Sequence, residues 1–204
     1  MAEALSEFLL DLLGNPYIAV LFVSMFPLIE LKGAIPVGTT FGLGLLETAL
    51  VAYVGSTVIS ILIFFLLKPI FKLLKKIKIF NLVVRKCEGL FIHKAEEISK
   101  KTNGSVEKVA RKIMVISLLI FVAVPFPVTG VWTGTAVAIF LGLRFRDAIP
   151  AIAVGNLIAG SIITLLTFLF ARWVDIIIYC LFALAIIMLI VTIIKIVKSK
   201  PSEE

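Results

Sequence analysis

Glu30 and Lys32 stand two residues apart in a stretch, Leu12 to Leu46, that carries no other charged side chain. If that stretch lies in a membrane, each charge costs at least about 2.5–3.5 kcal/mol on insertion scales, so such residues are candidates for binding an ion or a substrate. Glu30 in a low-dielectric pocket suits the loading and release of H⁺ or Na⁺. The same two residues could instead merely pair, or Glu30 could cap the free amides of the half-helix that follows it.

A second group is uncharged. The segment Pro125-Phe126-Pro127-Val128-Thr129-Gly130-Val131-Trp132-Thr133-Gly134-Thr135 offers the hydroxyls of Thr129, Thr133 and Thr135, the Trp132 indole N–H and amides freed by proline. Half-helix N-termini and exposed amides favour anions, although the hydroxyls could serve only to satisfy the broken backbone. Arg144 and Arg146 follow, and their guanidinium forks could engage a phosphate or simply anchor topology. Asn156, midway along an apolar span, could coordinate an ion; a hydrogen bond to a neighbouring helix is the favoured reading. There is no paired intramembrane acid with a nucleophile, no His or Cys cluster at metal-ligand spacing and no glycine-rich phosphate loop. Neither catalysis, a metal site nor a cofactor is expected, apart from coupling H⁺ or Na⁺. His93, Cys87 and Cys180 have no companions at ligand spacing.

These residues sit in a chain made for a bilayer. Of 204 residues 61% are apolar and 16% charged, against roughly 45–50% and about 25% in soluble domains, and the mean hydropathy is +1.15. A soluble enzyme, a nucleic-acid-binding module and a disordered chain are excluded. The net charge of +7 therefore reports cytoplasmic loops, not a nucleic-acid partner.

Uncharged windows cover Leu12–Ile29, Gly33–Leu46, Thr48–Leu67, Ile113–Leu143, Ala148–Ala171 and Ile176–Ile194. The third, fifth and sixth can cross about 30 Å of hydrocarbon at about 1.5 Å per residue. After Asn15-Pro16 the first offers about half that length, and the second is studded with Gly33, Pro36, Gly38, Gly42 and Gly44. The fourth is too long for one crossing and is cut by Pro125 and Pro127, which remove backbone donors. Pro27, Pro36 and Gly130 are the other expected breaks. Two re-entrant hairpins follow, 16–46 and 113–143. An unpaired amide in lipid costs several kcal/mol, so their tips must share a protected interior.

Eighteen of the 20 Lys and Arg fall in three groups: Lys68–Lys112, Arg144 with Arg146, and Lys195–Lys200. Placing those groups in the cytoplasm makes the helix at 48–67 run inward, 148–171 outward and the C-terminal helix, 175–197, inward. The first hairpin then dips from outside and the second from inside. The acidic N-terminal segment 1–15, an amphipathic surface helix lacking the basic region of a signal sequence, lies outside. The basic linker 68–112 lies on the cytoplasmic interface, where anionic lipid attracts it, and the C-terminus is cytoplasmic. The expected location is the cytoplasmic membrane, crossed several times.

An offset of one hundred residues relates the two halves: Phe26-Pro27 to Phe126-Pro127, Gly42-Leu43 to Gly142-Leu143, Glu47 to Asp147, and Val54-Gly55-Ser56 to Val154-Gly155-Asn156. Copies separated by an odd number of crossings are inverted. The expected fold is an all-α integral membrane protein of one membrane domain. It consists of an inverted repeat of re-entrant hairpin plus transmembrane helix, 16–67 and 113–171, with an additional C-terminal transmembrane helix. Broken helices that meet between inverted halves form the substrate and ion sites of many secondary transporters.

Glu30-Leu31-Lys32-Gly33-Ala34-Ile35-Pro36, followed by Pro125 to Gly134, resembles the small multidrug export protein family, over nearly the whole chain. That family is distantly similar to the DedA, or VTT, membrane proteins, which share paired re-entrant hairpins in inverted repeats and include carriers of polyprenyl-phosphate lipids and scramblases. The resemblance implies a transporter with Glu30 at the position of the first hairpin's acidic residue. DedA proteins carry arginines in or just after their second hairpin; here only Arg144 and Arg146 follow it. The function expected is H⁺- or Na⁺-coupled flipping of an anionic lipid such as a polyprenyl phosphate or a phospholipid, with the second hairpin holding the head group. The alternatives are export of small lipophilic or cationic drugs, with Glu30 as counter-ion, and uncoupled lipid scrambling. The partners expected are membrane lipids and an amphiphilic substrate, with no nucleic acid; a homodimer is compatible with the sequence.

Overall fold

The computed structural model describes residues 11, 13–74, 89, 91–93, 105–126 and 129–170, with the single positions 180, 183, 186, 187, 190 and 191. Among the described residues there are helices and no strand: α1 Pro16–Met25, α2 Glu30–Thr40, α3 Leu45–Leu74, α4 Val106–Ala123, α5 Val131–Phe140 and α6 Phe145–Leu169. Two stretches, Leu45–Phe71 and Phe145–Leu169, are long and apolar enough to cross a membrane. The surface helix expected over 1–15, most of the linker and the C-terminal helix expected over 175–197 lie largely outside the described residues.

Local chemistry sets where the helices begin. Asn15 Oδ1 accepts the N–H groups of Tyr17 and Ile18 at 2.8 and 3.4 Å, and Pro16 occupies the first helical position, where its missing N–H is not needed. Ser105 starts α4 in the same way, its hydroxyl accepting from Lys108 N–H at 3.4 Å. Both α3 and α4 continue into the stretch read as linker, α3 to Leu74 and α4 from Val106. Lys and Arg are good helix formers whose charged ends can leave an apolar layer while their stems stay in it, so a change in charge does not end a helix.

The first half turns back at Phe26–Ile29, around Pro27. Pro36, expected as a break, lies inside α2; it withholds a donor from the Lys32 carbonyl alone, and the helix carries on through it. Glu30 and Lys32 therefore belong to the first turn of α2. Leu28 (φ 76°) and Glu30 (φ 48°) are held in the left-handed region, at about 1–2 kcal/mol per residue. In the second half Pro125 lies between α4 and α5, Gly130 occupies the position just before α5, and Pro127 is outside the described residues.

Geometry repeats at the offset of one hundred. α3 begins at Leu45 and α6 at Phe145, each after a turn whose glycine, Gly42 or Gly142, takes φ of 78° or 68°, a conformation that glycine adopts without a Cβ penalty. α1 packs on α2 and α3, α4 on α5 and α6, and α3 on α5 and α6. One apolar cluster joins Val20, Leu31, Ala34 and Ile35 to Ala52, with Ile163 of α6 against it. The other joins Leu118, Val122, Val131 and Ile139 to Ile152 and takes Phe64 from α3. Each half thus completes its core with a residue from the other half's long helix. α3 and α6 run antiparallel: Ser56 meets Asn156, the Phe64 ring lies 5.4 Å from Phe145, and Leu45 shares a groove with Phe168.

Candidate functional site

The two breaks meet, and each supplies what the other lacks. α5 starts at Gly130, which has no side chain with which to cap it. The cap comes from the first half: Glu30 Oε1 accepts the Trp132 N–H at 3.1 Å. A Cβ on Gly130 would lie 1.6 Å from Glu30 Oε2, so glycine leaves the space that the carboxylate fills. An anion at a helix N-terminus gains from the free amides and from the helix dipole together.

Lys32 engages the opposite kind of group. Its Nζ donates to the Phe126 carbonyl at 2.7 Å and to the Thr129 carbonyl, and stands 3.8 Å from Glu30 Oε2. Trp132 completes the exchange by donating its indole N–H to the Met25 carbonyl at 3.0 Å, at the end of α1, where helical carbonyls lack partners. Glu30 and Lys32 are each only 6% exposed. The two charges sum to zero and every contact just described crosses between the halves, apart from the ion pair itself.

The structure brings Glu30, Lys32, Thr129 and Trp132 together with Pro125 and Gly130. The Thr129 hydroxyl closes its own break, donating to the Val124 carbonyl at 2.6 Å and accepting the Phe126 N–H at 3.1 Å. Thr133 adjoins the cluster, its Oγ1 accepting the Gly130 N–H at 3.1 Å. Asn156 lies elsewhere on α6; its Nδ2 donates to Ser56 Oγ at 2.7 Å and to Thr57 Oγ1 at 3.4 Å. Arg144 and Arg146 are exposed at the start of α6, the far end of α5 from the tips, which at 1.5 Å per residue is about 15 Å away. Arg144 lines a pocket of about 510 Å³ with Arg111 and Met114, and Arg111 is 3.8 Å from Glu107. Among the described residues no group of three His, Cys, Asp or Glu could hold a metal ion.

Met25 and Ser56 were not singled out from the sequence. Met25 contributes only a main-chain carbonyl, which no residue type announces. Ser56 did carry a signal, since the offset of one hundred sets it against Asn156.

The chemistry open to the cluster is narrow. A carboxylate that accepts a main-chain amide and faces an ammonium can take up a proton, and on doing so it gives up the charge that faces Lys32. The ammonium, in turn, occupies the point where two carbonyls and a carboxylate converge. Removing either charge alone leaves the other buried without its counter-ion, which is strongly unfavourable.

A family model described as "Putative small multi-drug export protein" matches residues 30–162, from the residue that begins α2 to well along α6. No curated protein and no solved structure matches the chain.

Proposed function

Because the chain belongs to the small multi-drug export protein family and is a membrane protein with two helices able to cross a bilayer, we propose that it is a proton-coupled transporter of small amphipathic molecules. The observation that carries this reading is the buried Glu30–Lys32 pair, which fastens the tips of the two halves to each other. In it, α1–α2 and α4–α5 are re-entrant hairpins of inverted halves; the antiparallel α3 and α6, and the glycine turns at matching positions, support that architecture.

Protonation of Glu30 weakens its hold on the Trp132 amide and on Lys32 at one stroke. The tips then part and the halves rock, as broken-helix transporters do about a site near the midplane. Of the two coupling ions, H⁺ fits better than Na⁺, because the oxygens of Phe126, Thr129 and Glu30 that could ligate a metal ion already surround the Lys32 ammonium.

A second reading rests on the same geometry. The N-terminus of α5 with Lys32 beside it already holds a carboxylate, so the phosphate of a polyprenyl phosphate or phospholipid could displace Glu30 and be flipped. Vesicles containing the purified protein separate the two. Uptake of a lipophilic cation and translocation of labelled phospholipid and polyprenyl phosphate are followed under imposed pH or Na⁺ gradients. The expected result is movement that follows the pH gradient and loses that dependence in Glu30→Gln. Translocation confined to phosphate lipids would favour the second reading, and movement indifferent to both gradients in the wild type would make the protein a scramblase.

A further inference from the structure

Between the first turns of α3 and the last turns of α6 runs a groove of about 940 Å³, whose lining includes Leu45, Glu47, Tyr53, Leu157, Gly160 and Phe168. That size accepts a drug-sized molecule, and the tip cluster makes no use of it. Glu47 is the sole charged residue among those that line it. The Tyr17 hydroxyl donates to Glu47 Oε2 at 2.9 Å, which ties the side chain to α1 while the residue stays exposed.

The groove offers little to an anion. In its α6 wall the Ser161 and Thr164 hydroxyls donate back to the carbonyls of Leu157 and Gly160, at 2.9 and 2.7 Å. The start of α3 counts as roughly half a positive charge, so the full charge of Glu47 still leaves this end negative. Tyr53, on the α3 side of the groove, adds an aromatic ring, which favours a cation further.

We infer that this groove binds a lipophilic monovalent cation, its apolar body against Leu45, Leu157 and Phe168 and its charge against Glu47. The inference names a substrate class for the transport reading and rests on that reading for its role, but it is tested by binding alone. Lipid acyl chains would also fit an apolar groove, and they would do so whatever the charge of their head groups.

Tetraphenylphosphonium and tetraphenylborate have the same shape and opposite charge. Each is titrated into the detergent-purified full chain, with ligand-dependent thermal stabilisation as the readout, because a ligand of the native fold raises its stability by mass action. The cation is expected to stabilise the wild type saturably and the borate not to. Glu47→Gln is expected to weaken cation binding by about two- to fivefold, Glu47→Asp to restore most of it, and Leu157→Trp to block the groove to either ion. Unliganded melting of each variant reports whether it folds. Equal stabilisation by both ions, or a cation affinity unchanged in Glu47→Gln, overturns the inference. Cation binding without gradient-driven uptake in vesicles would sink the transport reading and leave the site standing. Gradient-driven uptake with no Glu47-dependent binding would do the reverse.

Discussion

Gly130 adopts φ −153° and ψ −164°, extended backbone open to any residue, so only space explains a glycine there. All three atoms nearest to an added Cβ belong to the Glu30 carboxyl group, at 1.6, 2.3 and 2.5 Å. Gly130→Ala must therefore evict the carboxylate and leave the start of α5 uncapped, at an expected cost of about 1–3 kcal/mol in thermal unfolding. In a Glu30→Ala background the same change is expected to cost less than about 0.5 kcal/mol, since the obstacle has gone. Additive losses would show that something other than Glu30 fills the space. Lys32→Met should be worse, about 3–5 kcal/mol, because it strands a buried carboxylate. Glu30→Gln/Lys32→Met is expected to melt above Lys32→Met alone, and a double variant less stable than either single one would refute the pairing. The sequence pointed to Glu30, Lys32, Thr129 and Trp132 because each is conspicuous by type in apolar surroundings. It could not show that Glu30 caps the other half's helix instead of its own, since that depends on how two segments about a hundred residues apart are folded together.

The start of α1 was legible at Asn15-Pro16; the start of α4 at Ser105 was not, because it lies in the basic stretch read as linker, and helix lengths were not, because Lys and Arg permit a helix to run on past its apolar stretch. Pro36 misled for a related reason: one missing donor is tolerated inside a packed helix. The repeat proved more informative than any single motif, because it paired Gly55 with Gly155. A Cβ on Gly55 would sit 2.1 Å from Ser24 Oγ and 2.7 Å from the Leu21 carbonyl oxygen, and one on Gly155 2.6 Å from the Leu119 carbonyl oxygen. A side chain can turn away, but a helix carbonyl cannot move without its helix. Gly55→Ala and Gly155→Ala should each force a long helix off its partner and cost about 1–3 kcal/mol. Asn156→Ala, which removes a buried interhelical hydrogen bond, is expected to cost less, about 0.6–1.7 kcal/mol. Melting temperatures of the three variants in one detergent rank them, and an Asn156→Ala loss exceeding both glycine losses would mean that hydrogen bonding, not close packing, governs these contacts.

At the scale of the molecule, Leu45–Phe71 spans 27 residues, about 40 Å at 1.5 Å per residue against about 30 Å of hydrocarbon. α3 must tilt or emerge at its ends, so Glu47 in its first turn can reach an aqueous interface while Ser56 stays within. In the proposed architecture the antiparallel course of α6 puts Arg146 on the opposite face from Leu46, and this is the step on which inversion of the halves depends. With Cys87 and Cys180 replaced by serine, Leu46→Cys and Arg146→Cys give two single-thiol proteins whose labelled positions are both exposed. A membrane-impermeant maleimide added to intact cells is expected to label Leu46→Cys at once and Arg146→Cys only after permeabilisation, because the basic residues near Arg146 favour the cytoplasmic face. Labelling of both from one side would refute inversion. The tip cluster would then join two halves entering from the same face, and protonation of Glu30 could loosen that junction without exposing a bound molecule to alternate sides.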